Sequence, residues 1–238
     1  DFIKKFLGEN FNIVEESVDI NTQLEYLEFS HRNVQSDNLP APLTCTEILY
    51  AEHTDITDRR HALVNLAACD TVESYRMLEK YAAECPADMT DWAKIALRES
   101  RLFMESSLLE QKQVIVATGL GGKENKLRFH AVFRTKLNQD FTEFQQNVFK
   151  REVEFFVHDF GGELEEIVFK SYIASVLVLM PITKSIKAFL PATIEEINKY
   201  GNFLHTDIMM NNVKKYTFDE IEKLLNEQDK EKNKEIEL

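Results

Sequence analysis

The chain has 238 residues, of which 44% are hydrophobic and 29% are charged, and its formal net charge at pH 7 is −13. A chain of this length and composition can bury a sizeable core, which excludes a protein that is disordered throughout. No stretch approaches the roughly 20 apolar residues that a membrane-spanning helix needs, and lysines interrupt the apolar residues at the start, so the pattern predicts neither a membrane segment nor a secretory signal.

Helical periodicity dominates the first part of the chain, which contains no glycine for 110 consecutive residues between Gly8 and Gly119. Glycine often marks tight turns, so its absence favours helices that are separated by other breaks, such as the prolines at positions 40 and 42. In the first predicted helix, we expect Leu24, Tyr26 and Leu27 to face inward. The periodicity predicts four helices in all, over residues 21–32, 57–68, 72–84 and 89–109.

The segment Arg59-Arg-His-Ala-Leu-Val-Asn-Leu-Ala-Ala-Cys-Asp70 and the two helices after it place small residues and leucines on a shared face. Over residues 47–110 this pattern resembles HEAT-like α-helical repeats, and a generic antiparallel bundle gives the same pattern. The connections are short, so neighbouring helices are expected to pack antiparallel in either case. The resemblance implies a scaffold that binds partners along a helical face.

Two strands are predicted after the helical part. Residues 113–118 form a short apolar run, and residues 127–136 alternate between apolar and polar side chains. We expect the two strands to form a hairpin around residues 119–126. The side chains expected to face the core are Leu127, Phe129, Ala131 and Phe133. The polar side chains expected to face outward are Arg128, His130, Arg134 and Lys136.

A phenylalanine-rich helix is predicted over residues 140–159, and Gly161 and Gly162 mark its end. Its apolar side chains cover nearly half of the helical wheel, so we expect another element, such as the N-terminal bundle, to pack on it besides the sheet. Two strands over residues 163–169 and 175–182 and a helix over residues 186–200 complete the order β-β-α-β-β-α. This order is typical of an α+β fold with a mainly antiparallel sheet.

The end of the chain begins with a capping box, in which Thr217 caps a helix and Glu220 follows three residues later. Residues from about Glu227 onward are almost wholly charged or polar, which predicts a tail that frays or stays disordered. We therefore divide the chain into three parts: an acidic helical domain over residues 1–110, an α+β sheet domain over residues 111–216, and a C-terminal helix with a charged tail over residues 217–238.

Charge distinguishes these parts. Residues 1–110 carry a net charge of −11 and residues 111–238 carry −2, whereas residues 112–136 contain six basic side chains and one acidic side chain. The pattern predicts a cationic strand on an acidic protein. A solvated strand face, or an intramolecular contact with the acidic N-terminal half, explains these cations as well as an external partner does.

The glycine loop before the cationic strand suggests anion binding, because Gly119, Gly121, Gly122 and Lys123 could surround a phosphate. The loop lacks the spacing of a phosphate-binding P-loop, and no helix follows it. A flexible hairpin turn is the favoured interpretation.

Catalytic and metal-binding patterns are weak. His53 and His61, with Asp55 and Asp58 beside them, resemble a metal site in composition only, and their spacing matches no known ligand motif. Cysteines 45, 69 and 85 are an odd number with no CxxC pair, so we expect reduced thiols in a cytoplasmic protein. No catalytic residue, metal or other cofactor is predicted.

These features predict a non-enzymatic interaction or adaptor protein that binds a protein partner through charged surfaces. The predicted contacts to an acidic partner are Arg128, His130, Arg134 and Lys136. One alternative is an enzyme or small-ligand sensor with an anionic ligand near residues 119–123. A third interpretation is RNA binding through the hairpin over residues 112–136, which the net charge of −13 disfavours.

Overall fold

A computed structural model describes residues 11–14, 17–33, 39–109, 114–184 and 186–236. The chain divides into two compact units: of the described residues, 11–12 and 18–116 belong to one, and 13–17 and 117–236 belong to the other. We call them the helical unit and the α+β unit. The division falls between residues 116 and 117, and residues 110–113, around the predicted boundary, lie outside the described residues. Within the described ranges, no helix combines the length and the hydropathy needed to span a membrane.

The helical unit is built from antiparallel helices with short connections. Its core contains Leu63, Leu66, Leu78 and Trp92. Its elements are β1 (Phe11–Ile13), α1 (Ile20–Asn33), α2 (Pro42–Tyr50), α3 (Ile56–Ala68), α4 (Val72–Glu84), a 3-10 turn (Ala87–Met89), α5 (Thr90–Leu109) and β2 (Val114–Val116). β1 pairs with β2 in a two-stranded sheet.

Helix α2 was not predicted, because two prolines lie at its start. Pro42 occupies its first turn, where a missing backbone N–H removes no helical hydrogen bond. The caps of the next two helices follow from their side chains. Asp55 accepts a hydrogen bond from the backbone of Thr57, and Thr71 accepts one from Ser74. Such caps satisfy backbone donors that a helix start leaves unpaired.

The inner face of α1 differs from the prediction. Tyr26 is buried as predicted, whereas Leu24 and Leu27 are about half exposed, at 53% and 49%. The Tyr26 hydroxyl donates to Glu99 at 2.5 Å, and the Gln23 side chain donates to a backbone carbonyl. Polar side chains that have hydrogen-bond partners can therefore face the core. The period of the apolar residues thus predicts the wrong inner face for α1.

The α+β unit confirms the predicted α+β class and the order β-β-α-β-β-α. Its elements are β3 (Gly122–Lys123), β4 (Lys126–Arg134), α6 (Glu143–Asp159), β5 (Glu163–Lys170), β6 (Ile173–Pro181), α7 (Ile186–Asn198), β7 (Met209–Asn211) and α8 (Phe218–Ile236). The strands form an antiparallel sheet in the order β3-β4-β6-β5, with β7 also paired to β4. The succession β4-α6-β5-β6-α7-β7 with β7 and β5 at the edges is the ferredoxin-like arrangement.

The predicted hairpin between residues 113–118 and 127–136 is wrong. β2 pairs with β1 instead, and β4 turns back from β3 through a two-residue loop, with Gly122 opposite Leu127. Glu124 in this loop has a φ of 53°, which a tight turn between paired strands requires. The stretch predicted to be one long loop therefore contains a short strand, β3, and its two-residue turn into β4.

Helices α6 and α7 cover one face of the sheet, where Phe133, Phe149, Val176 and Phe189 share a core. Thr142 and Gln145 form a capping box that begins α6 three residues later than predicted. The helix ends as expected at a positive-φ glycine, Gly161, with φ of 76°.

Helix α8 packs on the other face of the sheet, where Ile221 and Leu225 contact Val132 and Ile173. The predicted disordered tail after position 227 is wrong as far as residue 236, because α8 continues to Ile236. Composition does not reveal this because few contacts hold the helix: two buried apolar side chains, Ile221 and Leu225, and ion pairs take the place of a broad apolar stripe.

Candidate functional site

The structure places the four predicted partner-binding residues in very different surroundings. Arg128 lies on the side of the sheet on which α8 packs. Its guanidinium donates to both carboxylate oxygens of Glu165, at 2.6 and 2.8 Å. It also donates to the carbonyl oxygen of Leu120 at 2.8 Å. The carboxylate raises the pKa of Arg128 above its ordinary value. Most of its hydrogen-bonding capacity is thus used within the unit.

His130 is fully buried, so the expectation that it faces outward is wrong. Its Nδ1 accepts a hydrogen bond from the backbone N–H of Tyr216 at 3.2 Å. The proton therefore lies on Nε2, which donates to the Ser175 hydroxyl at 2.8 Å. Burial lowers the pKa of the imidazole to about 4, and the ammonium of Lys215 acts in the same direction. The ring is neutral near pH 7 and serves the packing of this face.

Arg134 is only 5% exposed, so its expected outward position is wrong as well. Its two terminal nitrogens donate to the two oxygens of Asp229 in α8, each at 2.7 Å. The guanidinium in turn holds the pKa of the Asp229 carboxyl below its usual range. This bidentate pair has the geometry in which arginine and carboxylate interact most strongly, and it joins α8 to β4.

Lys136 remains on the surface. Its ammonium donates to the side-chain oxygen of Asn202, and no ion pair joins it to a carboxylate within the described part of the chain. It lies where two clefts meet, one of about 460 Å³ and one of about 380 Å³, and Asn202 lines both of them as well. Lys136 is thus the member of the predicted set that keeps an accessible charge.

The glycine loop is packed against the segment after β7. A Cβ atom at Gly119 would lie 1.9 Å from the backbone oxygen of Val213, so only glycine fits this close approach. The amides of Leu120 and Gly121 already donate to backbone carbonyls, each at 3.1 Å, and Lys123 bonds to Glu163 at 3.3 Å. Anion binding here stays a prediction, with two of the loop amides already in use.

The histidine and aspartate cluster of the helical unit lines a cavity of about 610 Å³. Asp55 caps α3 through its bonds to Thr57, which lower the pKa of its carboxyl. In the ranges that the structure describes, no group of three or more histidine, cysteine or carboxylate side chains is arranged to hold a metal ion. The three cysteines are unpaired.

The two clefts beside Lys136 combine apolar walls with polar rims. The larger one has Pro191, Ile194 and Ile208 on its walls, and Lys136, Glu195 and Lys199 among its polar residues. The smaller one reaches from the end of β4 to the start of α6, where Thr142 and Gln145 line it. Such a combination binds ligands that carry both apolar and charged groups.

Exposed apolar side chains lie at these clefts and along the outer face of α6. Leu137, which lines the smaller cleft, is 76% exposed, and Phe144, one residue before Gln145, is 62% exposed. Phe155 on the same outer face of α6 is 61% exposed, and Tyr200 at the end of α7 is 43% exposed. The guanidinium carbon of Arg151, which lies between the two phenylalanines along α6, is 5.3 Å from the Tyr200 ring. This contact places the outer face of α6 beside the end of α7.

We name the two clefts, Lys136 and these exposed apolar side chains together the Lys136 surface. Sequence reasoning identified Lys136 and missed Leu137, Phe144, Phe155 and Tyr200 as surface residues. The signal was present in the predicted helix over residues 140–159, whose apolar arc was wider than one sheet contact needs. Part of that arc is the exposed face.

Comparisons with known proteins leave the family of this chain open. Neither a family model nor a curated protein matches it. A crystal structure of a putative transposase from Deinococcus radiodurans R1 is similar to part of the chain, with 18% sequence identity and a TM-score of 0.38. The similarity covers 45% of this chain and 94% of that one. At this level the likeness carries no argument about function.

Proposed function

We propose that this protein is a non-enzymatic interaction protein that binds an acidic, partly apolar segment of a partner protein on the Lys136 surface. The observation that carries the proposal is Lys136 itself. Of the four predicted contact residues, it is the one whose charge stays exposed without a carboxylate partner among the described residues, and it lies at the junction of two clefts.

A polypeptide fits this surface better than a compact ligand does. Single exposed apolar side chains are normal on proteins, but Leu137 lines the smaller cleft, and Phe144 and Tyr200 are next in sequence to residues that line the clefts. Phe155 shares the outer face of α6 with Phe144. Phe144 and Phe155 are separated by three turns of α6, about 16 Å along the helix axis. An extended or helical segment can cover that length while a small molecule would occupy one cleft.

The partner's chemistry follows from the residues that would contact it. Apolar side chains in the clefts would provide most of the affinity, because aromatic and aliphatic anchors dominate protein interfaces. A carboxylate facing Lys136 would mainly set specificity and association rate. The expected ligand is therefore a segment with one or two large apolar residues next to acidic ones.

A random peptide library tests this proposal without knowledge of the partner. The immobilised full chain is expected to enrich peptides that combine acidic residues with an aromatic or aliphatic residue. Lys136→Glu and Phe144→Ser are each expected to weaken the selected peptides by at least about tenfold, or about 1.4 kcal/mol. The proposal fails if no peptide is enriched, or if the selected peptides bind both variants as well as the wild type.

Matched controls are available on the same unit. Lys150→Glu makes the same charge change at an exposed position of α6, and Val213→Ser removes an apolar side chain that is 43% exposed away from the clefts. Both variants are expected to bind the selected peptides like the wild type. A loss that is equal in the controls would indicate a general effect of net charge or folding, and it would contradict a site at Lys136.

The helical unit enters the proposal as a scaffold. The resemblance of residues 47–110 to HEAT-like repeats stays a prediction, and the buried Ala62, Leu63, Leu66 and Ala67 of α3 fit a repeat and a generic bundle equally. A cytoplasmic location is likewise part of the proposal, and the three unpaired cysteines support it.

A further inference from the structure

Strand β5 forms one edge of the sheet. It pairs with β6 on one side, and no hydrogen bond joins its backbone to any other segment of the chain that the structure describes. The backbone groups on its outer side are therefore open to another strand. A β-bulge lies between Leu164 and Glu166, and residues 166–170 after it pair regularly with β6.

The sequence Glu166-Ile-Val-Phe-Lys170 is complementary to itself when two copies run antiparallel. With Val168 on the twofold axis, Glu166 of one copy faces Lys170 of the other, and Ile167 faces Phe169. The sides of the sheet also match. Ile167 and Phe169 both pack against the core beneath α6 and α7, so the alternating residues Glu166, Val168 and Lys170 share the opposite side.

Charges on an edge strand usually prevent pairing, but here their order favours it. Directly opposed side chains of unlike charge stabilise an antiparallel pair, and like charges destabilise it. Self-pairing about Val168 gives two Glu–Lys pairs and no like pair. The centre of the pairing is apolar, because Val168 lies on the twofold axis. Its side chain is 37% exposed in the single chain and can therefore contact its copy.

The ion pairs that Glu166 and Lys170 form within one copy are weak enough to be replaced by pairs between two copies. Glu166 forms an ion pair with Lys215, and both side chains are about 40% exposed. Lys170 lies 3.4 Å from Asp219 and 3.8 Å from Glu222, and its side chain is 50% exposed. Exposed pairs of this kind contribute about 1 kcal/mol or less each.

We propose that two copies of this chain associate by antiparallel pairing of β5 about Val168, which joins their sheets into one. The contact involves five residues from each copy, and interfaces of such small size are weak. The dimer is therefore expected to form in the micromolar range or above. This inference is independent of the Lys136 surface, because it rests on the outer edge of β5, which β6 separates from β4.

Covalent trapping tests the register. In a dimer of Val168→Cys, the Cβ atoms of the two introduced cysteines lie about 5 Å apart. A short bis-maleimide is therefore expected to link their thiols. Mass spectrometry identifies the linked peptide and distinguishes it from links through the natural cysteines. Val213→Cys, at a position of similar exposure, is the matched control and is expected to give no such link. If concentrated, folded Val168→Cys gives no link between the two cysteines at position 168, the proposed register is wrong.

Charge reversal tests the pairing itself. Sedimentation velocity of the full chain from about 1 µM to about 500 µM is expected to show a monomer–dimer equilibrium. Glu166→Lys and Lys170→Glu each create like-charge pairs and are expected to weaken the dimer by about tenfold or more. The double variant restores unlike pairs and is expected to regain most of the affinity. Circular dichroism verifies that each variant is folded. A monomer at every concentration, or a dimer that both single variants leave unchanged, overturns the proposal.

Discussion

His130 makes the stability of the α+β unit depend on pH, and the size of this effect follows from its surroundings. Burial is the main cause that lowers the pKa of the imidazole from 6.5 to about 4; the Lys215 ammonium lowers it too, and the Glu166 carboxylate opposes them. Above pH 6.5 the ring is neutral in both the folded and the unfolded chain. As the pH falls from 6.5 toward 4, the unfolded chain binds the proton first, so stability is lost across that interval.

The loss of unfolding free energy follows from the size of the pKa shift and from the two pH values compared. A shift from 6.5 to about 4 corresponds to about 3 kcal/mol once the pH is below both values. Between about pH 7.5 and about pH 5.0, the unfolding free energy is expected to fall by about 2 kcal/mol. The carboxyls of Glu163 and Asp229 have lowered pKa values, and their stabilisation is lost only below about pH 4.5, outside this interval.

Native-state hydrogen exchange followed by mass spectrometry measures the effect, since peptides from β4 and β6 report on the α+β unit alone. His130→Gln removes the titrating group and is expected to reduce the change between the two pH values to a few tenths of a kcal/mol. His158→Gln, which alters an exposed histidine of α6, is expected to leave the change at about 2 kcal/mol. The reasoning is refuted if the wild type is equally stable at both pH values, or if His130→Gln loses as much as the wild type.

Three further substitutions test other parts of the structure. Asp229→Asn leaves the buried guanidinium of Arg134 with a neutral partner, and urea unfolding is expected to show a loss of about 2 kcal/mol in the α+β unit; an unchanged midpoint would contradict the bidentate pair. Gly119→Ala introduces a Cβ atom 1.9 Å from a backbone oxygen, so thermal unfolding is expected to reveal a loss above about 3 kcal/mol; a variant as stable as the wild type would show that the loop lies elsewhere. Tyr26→Phe removes the hydroxyl that donates to Glu99, and tryptophan fluorescence in urea is expected to report a loss of about 1–2 kcal/mol in the helical unit at pH 7. Because burial raises the pKa of Glu99, that loss is expected to shrink in acid, where the carboxyl is protonated and needs no donor.

Alternation along β4 predicted its two faces correctly. Ala131 and Phe133 lie in the core, and Phe129 packs against it, while the side chains between them point to the other side. What alternation cannot predict is the element that covers the second side. Arg134 meets Asp229, 95 residues away in sequence, and that partner lies in a stretch whose composition indicates disorder.

Elements without a local signal were missed for the same reason. Strand β7 has three residues, too few for a period of two to be recognised, and its pairing with β4 defines it. Helix α1 illustrates the opposite case, in which a clear period gives the wrong inner face. Tyr26 is buried there because Glu99, 73 residues away in sequence, accepts its hydrogen bond, and no local pattern contains that acceptor. Gln23 is buried beside it and donates to the carbonyl of Val18, just before the helix.

The same physics explains why one cation of the predicted set differs from the others. Arg128 and Arg134 lie within the sheet, where acidic residues of β5 and α8 reach them. Lys136 lies two residues after Arg134, the last residue of β4, and its hydrogen-bond partner is the side-chain oxygen of Asn202. A charge beyond the end of a strand can remain in solvent, whereas a charge within the strand requires an internal partner once that face is covered. Position relative to the end of an element therefore selects Lys136, and a count of charges along the strand does not.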